Sequence, residues 1–303
     1  MPNLGLIGCG RWGRLVLRDL VALKAAVTVV ATRDHARVAK ETGARDVVGR
    51  IQDLPRVDGV VVVTPTSTHA DVIEVLLPRG VPIFCEKPLC DDASRAERLA
   101  AAGDRLFVMD KWRYHPGVIE LASIARSGEL GPVVGLRTTR LGYSHPYTDT
   151  DCVWTLLPHD LSIAMEIFGR LPPPRHAVAD VADRRVLGLV ATSSADGGPW
   201  HVAEVGVRSP SQQRIVTLFC RDGTATLQDS YADHIVLTKN PPPDGSKAEP
   251  RLTQRPISQD MPLLAELAVF LEYLKGGPPP KSSAADAAAV VNTVVEIRRL
   301  AGI

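Results

Sequence analysis

An apolar run at residues 4–7 ends in Gly8-x-Gly10-x-x-Gly13 and passes straight into a helix-patterned stretch at residues 14–24. The order strand, glycine turn, helix leaves few architectures open. Gly8 permits a tight turn, Gly10 lets a ligand's pyrophosphate approach the backbone, and Gly13 lets helix and strand pack closely. Unpaired N–H groups at the start of the helix then face the phosphates. Many glycine-bearing loops match the spacing by chance, so the flanking strand and helix carry the inference of a dinucleotide-binding turn. Arg11 and Trp12, inside the turn, join the three glycines as candidate cofactor contacts.

A chain of 303 residues is long enough for two domains. Its 35 basic and 34 acidic residues nearly cancel, which argues against a nucleic acid or a membrane surface held by excess positive charge. No apolar run approaches the roughly 20 residues of a membrane span, and a first strand beginning near Leu4 leaves no room for a signal peptide, so a cytoplasmic protein is expected. The five cysteines are scattered without a C-x-x-C pair, and no histidines show ligand spacing. Free thiols and no bound metal are expected.

Residues 27–31 form a β-branched run suited to a strand buried on both faces. Where NAD-binding units place an acid on the ribose hydroxyls, this chain has Thr32-Arg33. An acid there repels a 2′-phosphate, whereas Arg33 can bind one by a charge-assisted contact, which favours NADP and leaves NAD as the alternative. The competing reading makes Arg33 a solvated surface residue, with Asp34 capping a helix at 34–42. Residues 60–64 are the next buried strand, followed by Thr64-Pro65-Thr66-Ser67-Thr68-His69 and a helix at 70–77 closed by Gly80. The strand at 81–85 ends in Glu86-Lys87-Pro88, and strand carboxyl ends in an open α/β sheet face the ligand crevice. A helix at 94–102 and a strand at 105–110 complete a mostly parallel, doubly wound Rossmann sheet over residues 1–112.

Beyond that point the pattern changes. A helix at 116–127 and a strand at 133–140 precede alternating runs at 176–182, 186–193, 201–208, 214–220 and 224–228, with no helices between them. Successive strands separated by Gly, Pro or charged turns predict an open, mainly antiparallel sheet in a second α/β domain over 113–303. Proline runs at 172–174, 241–243 and 278–280 mark loops. Residues 263–275 and 283–301 read as helices.

Taken in order, Gly8-x-Gly10-x-x-Gly13, Thr64-Pro65-x-x-x-His69, Glu86-Lys87-Pro88, Tyr114-His115-Pro116 and Pro158-His159-Asp160 resemble the glucose–fructose oxidoreductase/inositol dehydrogenase/rhizopine-catabolism (Gfo/Idh/MocA) family over essentially the whole length. The resemblance implies a Rossmann domain followed by a substrate and oligomerisation domain, whose last helix can pack back on the first. It further implies hydride transfer to or from sugars, polyols or nucleotide sugars, and a homo-oligomer, dimer or tetramer. By position, Lys87 is the lysine that orients the reacting oxygen, Pro88 follows a cis peptide, and His159 exchanges a proton with the substrate. Thr64, Pro65, His69, Glu86, Lys87 and Pro88 fall on the cofactor side; Lys87, Arg113, Tyr114, Trp154 and His159 fall on the substrate side. An imidazole suits that proton transfer, because oxidising a CH–OH group releases a proton as the hydride leaves.

The chain departs from the family pattern at one position. Where the family often has Asp, four residues before the histidine, this chain has Thr155, whose hydroxyl can hydrogen-bond but supplies no carboxylate. Two alternatives therefore stand beside the sugar oxidoreductase: a reductase of a non-sugar C=N or C=O group, and an NADP-binding regulatory protein without catalysis. The stretch from Arg140 through Asp151 and Trp154 to Ser162 looks most like members associated with nucleotide-sugar biosynthesis.

Overall fold

The computed structural model describes residues 1–143, 150–240 and 251–303. The proline run at 241–243 lies outside the described residues. Contacts divide the chain into two units, residues 1–111 with 261–292, and residues 112–260 with 293–303.

In the first unit the chain runs β1 (Asn3–Ile7), α1 (Arg11–Ala22), β2 (Ala26–Val30), α2 (Arg33–Glu41), β3 (Asp46–Val48), β4 (Gly59–Val62), α3 (His69–Leu76), β5 (Ile83–Glu86), α4 (Ala93–Ala100) and β6 (Leu106–Met109). All six strands are parallel, in the order β3-β2-β1-β4-β5-β6. The reversal of direction after β1 is the doubly wound order, and it puts strand carboxyl ends at one crevice. Strands β1, β2, β4 and β5 are near-continuous apolar runs because helices cover both of their faces. Helix α2 begins at Arg33, with Thr32 in the N-cap position, so Asp34 lies in the first turn and is not the cap. The short β3, at the sheet edge, breaks no strong pattern and was not evident from the sequence.

The second unit begins with α5 (Pro116–Ser127), β7 (Val133–Tyr143) and α6 (Cys152–Phe168). It continues through β8 (Pro174–Ala182), β9 (Arg185–Ser194), β10 (Trp200–Gly206), β11 (Arg208–Cys220), β12 (Gly223–Leu227), β13 (His234–Lys239) and β14 (Arg251–Pro256). These strands form one sheet, β14-β13-β12-β11-β7-β10-β9-β8. It is antiparallel except where β10 pairs with β7 in parallel, the long excursion through α6, β8 and β9 supplying the crossover. Alternation sets the faces: Leu136, Thr138 and Arg140 of β7 are buried while Arg137 is exposed. Helices α5 and α6 lie on the buried face, where Val118, Leu121, Ile163 and Ile167 meet Val216, Leu218, Leu227 and Ile235.

The helix α7 (Pro262–Tyr273) belongs to the first unit by its packing, although it follows the second sheet in sequence. Its Leu263, Leu267, Phe270 and Leu271 enter the Rossmann core, and Phe270 stacks on Phe84 at 4.9 Å between centroids. The last helix, α8 (Ala284–Leu300), contributes its residues up to Asn292 to the first unit and the remainder to the second. No helix among the described residues is long and apolar enough to cross a membrane.

Candidate functional site

The first unit builds a cofactor cradle from the glycine turn. Gly8 has φ +99°, and a Cβ there would meet the Val63 carbonyl oxygen at 2.8 Å, so only glycine fits against the end of β4. A Cβ at Gly13 would meet the Gly8 oxygen at 2.7 Å, whereas one at Gly10 meets nothing within 4 Å. Two glycines thus close the turn on itself and the third opens it outward, above the N-terminus of α1. That is the space a pyrophosphate requires, and no side chain competes for it. Trp12 packs inward against the core, with the Lys111 ammonium 4.7 Å from its ring centroid, while Arg11 is exposed.

At the end of β2 a hollow of about 630 Å³ is lined by Thr32, Arg33, Arg37, Lys40, Val47 and Gly49. Arg33, Arg37 and Lys40 recur at intervals of four and three, so α2 presents all three cations on one face. Lys40 pairs with Asp46 at 3.2 Å and Arg37 with Glu41 at 3.6 Å, both exposed contacts. Arg33 has no ion-pair partner among the described residues, and none of the residues lining the hollow is acidic.

The Lys87–Pro88 peptide is cis. The turn that carries it is braced from two sides. The Glu86 carboxylate accepts the Lys87 backbone N–H at 2.6 Å, and His69 places Nδ1 2.8 Å from the Pro88 carbonyl and Nε2 2.8 Å from the Thr64 carbonyl. His69 is only 1% exposed. Expected among the cofactor contacts, it directs both ring nitrogens at backbone carbonyls and so ties the Thr64-Pro65 turn to the Pro88 turn. Near this turn α7 buries Glu266, whose carboxyl is pushed well above its ordinary range by burial, Glu86 and Asp110 adding to the shift and Lys111 opposing it.

In the second unit, Asp151 caps α6, accepting the N–H groups of Val153 and Trp154, and also pairs with Arg298. Arg298 lies over the Trp154 ring at 5.8 Å. Along residues 152–160 of α6 only Leu156 and His159 are more than marginally accessible. His159 is therefore the one polar residue of this stretch with appreciable accessible surface, although its Nδ1 is itself buried. Thr155 is buried, and its hydroxyl lies 3.2 Å from both the Asp151 and Cys152 carbonyls, so it turns back onto the first turn of its own helix. Arg113 gives its Nε–H to Glu166 of α6 at 3.0 Å, a largely buried pair, and Tyr114 is buried. His115 accepts the Gly117 N–H at Nδ1, which leaves Nε2 to donate to the Ser230 carbonyl at 3.0 Å and fixes a neutral tautomer.

All five cysteines are buried and free. Burial, with Asp151 beside it, pushes the Cys152 thiol up to about 12, so it is a poor nucleophile. Among the described residues no group of three His, Cys, Asp or Glu side chains is arranged to hold a metal ion.

Residues 3–109 match the model of the Gfo/Idh/MocA oxidoreductase family, described by its NAD-binding Rossmann fold. The chain is 31% identical to the UDP-N-acetylglucosamine 3-dehydrogenase of Acidithiobacillus ferrooxidans, over 75% of this chain and 72% of the relative. It belongs to the Gfo/Idh/MocA family. The myo-inositol dehydrogenase Hyg17 of Streptomyces leeuwenhoekii is also 31% identical, over 55% of this chain and 56% of its own, so the chain spans about half the length of that relative. The solved structure of the Acidithiobacillus ferrooxidans enzyme GnnA superposes with a TM-score of 0.86 at 24% identity, covering 99% of this chain and 97% of that one, and shows the same fold.

Within this Gfo/Idh/MocA chain the structure gathers Gly8, Gly10, Gly13, Thr64, Pro65, His69 and Pro88 into the first unit's crevice and carries Arg113, Trp154, Thr155 and His159 in the second unit. Arg37 and Lys40 join the expected Arg33 at this hollow, and their four- and three-residue spacing along α2 is legible in the sequence. Glu266 carries no such signal, because a single acid in an apolar helix shows its burial only once the helix is placed.

Proposed function

We propose that this chain is an NADP-preferring oxidoreductase acting on a sugar-like CH–OH or carbonyl group, with a nucleotide sugar as the favoured substrate class. The observation that carries the cofactor preference is the hollow at the end of β2, where Thr32 and three cations stand at the position an acid takes in NAD-selective units. A 2′-phosphate there gains a charge-assisted contact from Arg33 without displacing an existing ion pair. The substrate class rests on the relatives, of which one acts on UDP-N-acetylglucosamine and another on myo-inositol.

The bound nicotinamide supplies the hydride acceptor for oxidation and the donor for reduction. The chain supplies orientation and proton transfer. Lys87, on a turn braced by Glu86 and His69, presents an ammonium that holds the reacting oxygen and favours the negative charge it gains when its proton leaves. His159 takes that proton in oxidation and returns it in reduction. Thr155 brings no carboxylate to the histidine, so the imidazole acts without an acid four residues before it.

Purified protein should bind NADPH more tightly than NADH by titration calorimetry. It should also turn over at least one member of a panel of inositols, hexoses and UDP-sugars, and Lys87→Ala and His159→Ala should each remove that turnover, with His159→Ala leaving NADPH affinity within about twofold. Retained turnover in either variant contradicts its assigned role. A second reading, reduction of a non-sugar C=N or C=O group, is favoured by the commitment of the Thr155 hydroxyl to backbone carbonyls. It is distinguished by turnover of imines or keto acids where the sugars fail.

A further inference from the structure

Beneath α6 the second unit buries a polar network on the core face of its sheet. Arg140 of β7 donates from Nε to Asp160 Oδ2 at 2.9 Å and from Nη2 to Oδ1 at 3.4 Å, with the two side chains 4% and 1% exposed. The guanidinium carbon also lies 4.5 Å from the Trp112 ring centroid, and Trp112 stacks on His115 at 4.9 Å. On the other side, Thr138 hydrogen-bonds Asp160, and its hydroxyl lies 3.1 Å from His201 Nε2. A hydroxyl carries one proton, so donation to the carboxylate makes it the acceptor of the His201 Nε2–H. Direct hydrogen bonds thereby link His201, Thr138, Asp160 and Arg140 in sequence.

A buried ion pair is a poor way to gain stability, because removing two charges from water costs about as much as their attraction returns, so its retention calls for another reason. The local covalent chemistry of α6 offers one. Pro158 has no N–H and cannot bond the Trp154 carbonyl, so the helical ladder is interrupted one residue before His159. On the far side Ser162 donates its hydroxyl to the His159 carbonyl at 2.9 Å. The turn bearing the imidazole lacks one of its own backbone bonds and is held from outside instead. Asp160, the next residue, is fixed to the sheet.

We propose that Arg140 and Asp160 are positioning residues for His159, a clamp that sets the imidazole's orientation where Pro158 has weakened the helix. The proposal rests on the role assigned to His159 above. It adds that a reaction depending on His159 depends equally on a contact its side chain does not make. Arg140 acts through Asp160, and Thr138 with His201 holds the second flank of the carboxylate.

The test follows the histidine imidazole resonances of the full chain through a pH titration, with His159 assigned from a His159→Gln spectrum and His35 of α2 as a remote control. In Asp160→Asn the His159 signal should move and its proton-binding constant should fall at least threefold, because Arg140 is left as an uncompensated cation, while His35 is unchanged. Arg140→Met/Asp160→Leu removes both charges at similar volume and covers the case in which Asp160→Asn fails to fold. Its melting temperature should equal or exceed that of the single variant while its His159 resonance stays displaced from wild type. On a UDP-sugar or inositol that the wild type turns over, both variants should lose at least tenfold in kcat with NADPH affinity within twofold. A His159 resonance and titration identical to wild type in the folded variants overturns the clamp. Absence of wild-type turnover on the whole panel overturns the functional reading instead, and the resonance measurement still decides the clamp.

Discussion

Replacing Arg33 by alanine takes one cation from the hollow at the end of β2 and leaves Arg37, Lys40 and the backbone of α2 in place. A hydrogen bond to a charged group is worth about 1.5–3 kcal/mol, which corresponds to roughly ten- to hundredfold in affinity. Arg33 is exposed, so solvent screening selects the lower end, about tenfold. Neither Arg37 nor Lys40 fully substitutes, since each is already engaged with a carboxylate, Glu41 and Asp46 respectively. Titration calorimetry at low and high ionic strength is the assay. For wild type, the NADPH dissociation constant should rise with salt and the NADH constant should barely move, because only the first ligand brings a 2′-phosphate to the cations. Arg33→Ala should weaken NADPH about tenfold, leave NADH within twofold, and flatten the salt dependence. An equal loss for both cofactors, or a wild type that binds NADH more tightly, refutes the reasoning.

The glycine turn makes a paired prediction. Gly13→Ala places a methyl 2.7 Å from the Gly8 oxygen and should lower the melting temperature, at a cost of about 1–3 kcal/mol. Gly10→Ala, which meets nothing within 4 Å, should melt like wild type yet lose dinucleotide affinity, and equal melting losses in the two would contradict the packing argument. Burial lowers His201 from 6.5 to about 4, so between those values the unfolded chain binds a proton that the folded chain does not. Stability should therefore fall as pH drops through that window, by on the order of 3 kcal/mol from this group. Denaturant melts of wild type and His201→Gln check it, the variant being expected to lose part of the slope. Thr155→Asp places a carboxylate one helical turn before His159. A carboxylate there favours the protonated imidazole, so if His159 is the base of a sugar oxidation the variant's rate should fall at the low end of a pH 6–9 profile and hold or rise at the high end, and an unchanged profile contradicts that role.

Period and punctuation made much of this fold readable. Residues 116–127 carry Pro at the start of α5 and Gly128 just past its end, and the helix occupies those residues. Buried parallel strands announce themselves as β-branched runs, as in Val60–Val62. Other elements lacked such marks. Strand β14, Arg251–Pro256, is almost wholly exposed and polar, and it exists because β13 offers it an edge. Strand β13 carries only a short alternation, with Ile235 and Leu237 inward. The placement of α7 with the Rossmann core is of another kind. It depends on Gly59 leaving room at the start of β4, where a Cβ would come within 2.9 Å of Leu274 and 3.2 Å of Phe270, and no local pattern in residues 262–273 reports a glycine two hundred positions earlier.

The same distinction separates the parts of the candidate site. Gly8, Gly10 and Gly13 act through their own backbone, so their roles follow from their spacing. Lys87 and His159 are single residues to which the resemblance points, and the roles proposed for them depend on what holds them. His69 looks like a contact residue in sequence and is a brace in the structure, because both ring nitrogens meet carbonyls on different turns. Asp160 looks like a companion of His159 and instead reaches away to Arg140, twenty positions back across α6 and β7. In both cases a neighbouring residue carries structural work beside the proposed reactive side chain. A variant that spares Lys87 and His159 but breaks His69 or Asp160 should therefore lose function by misplacing a group that is still chemically present, and the Asp160→Asn titration measures that misplacement at the imidazole itself.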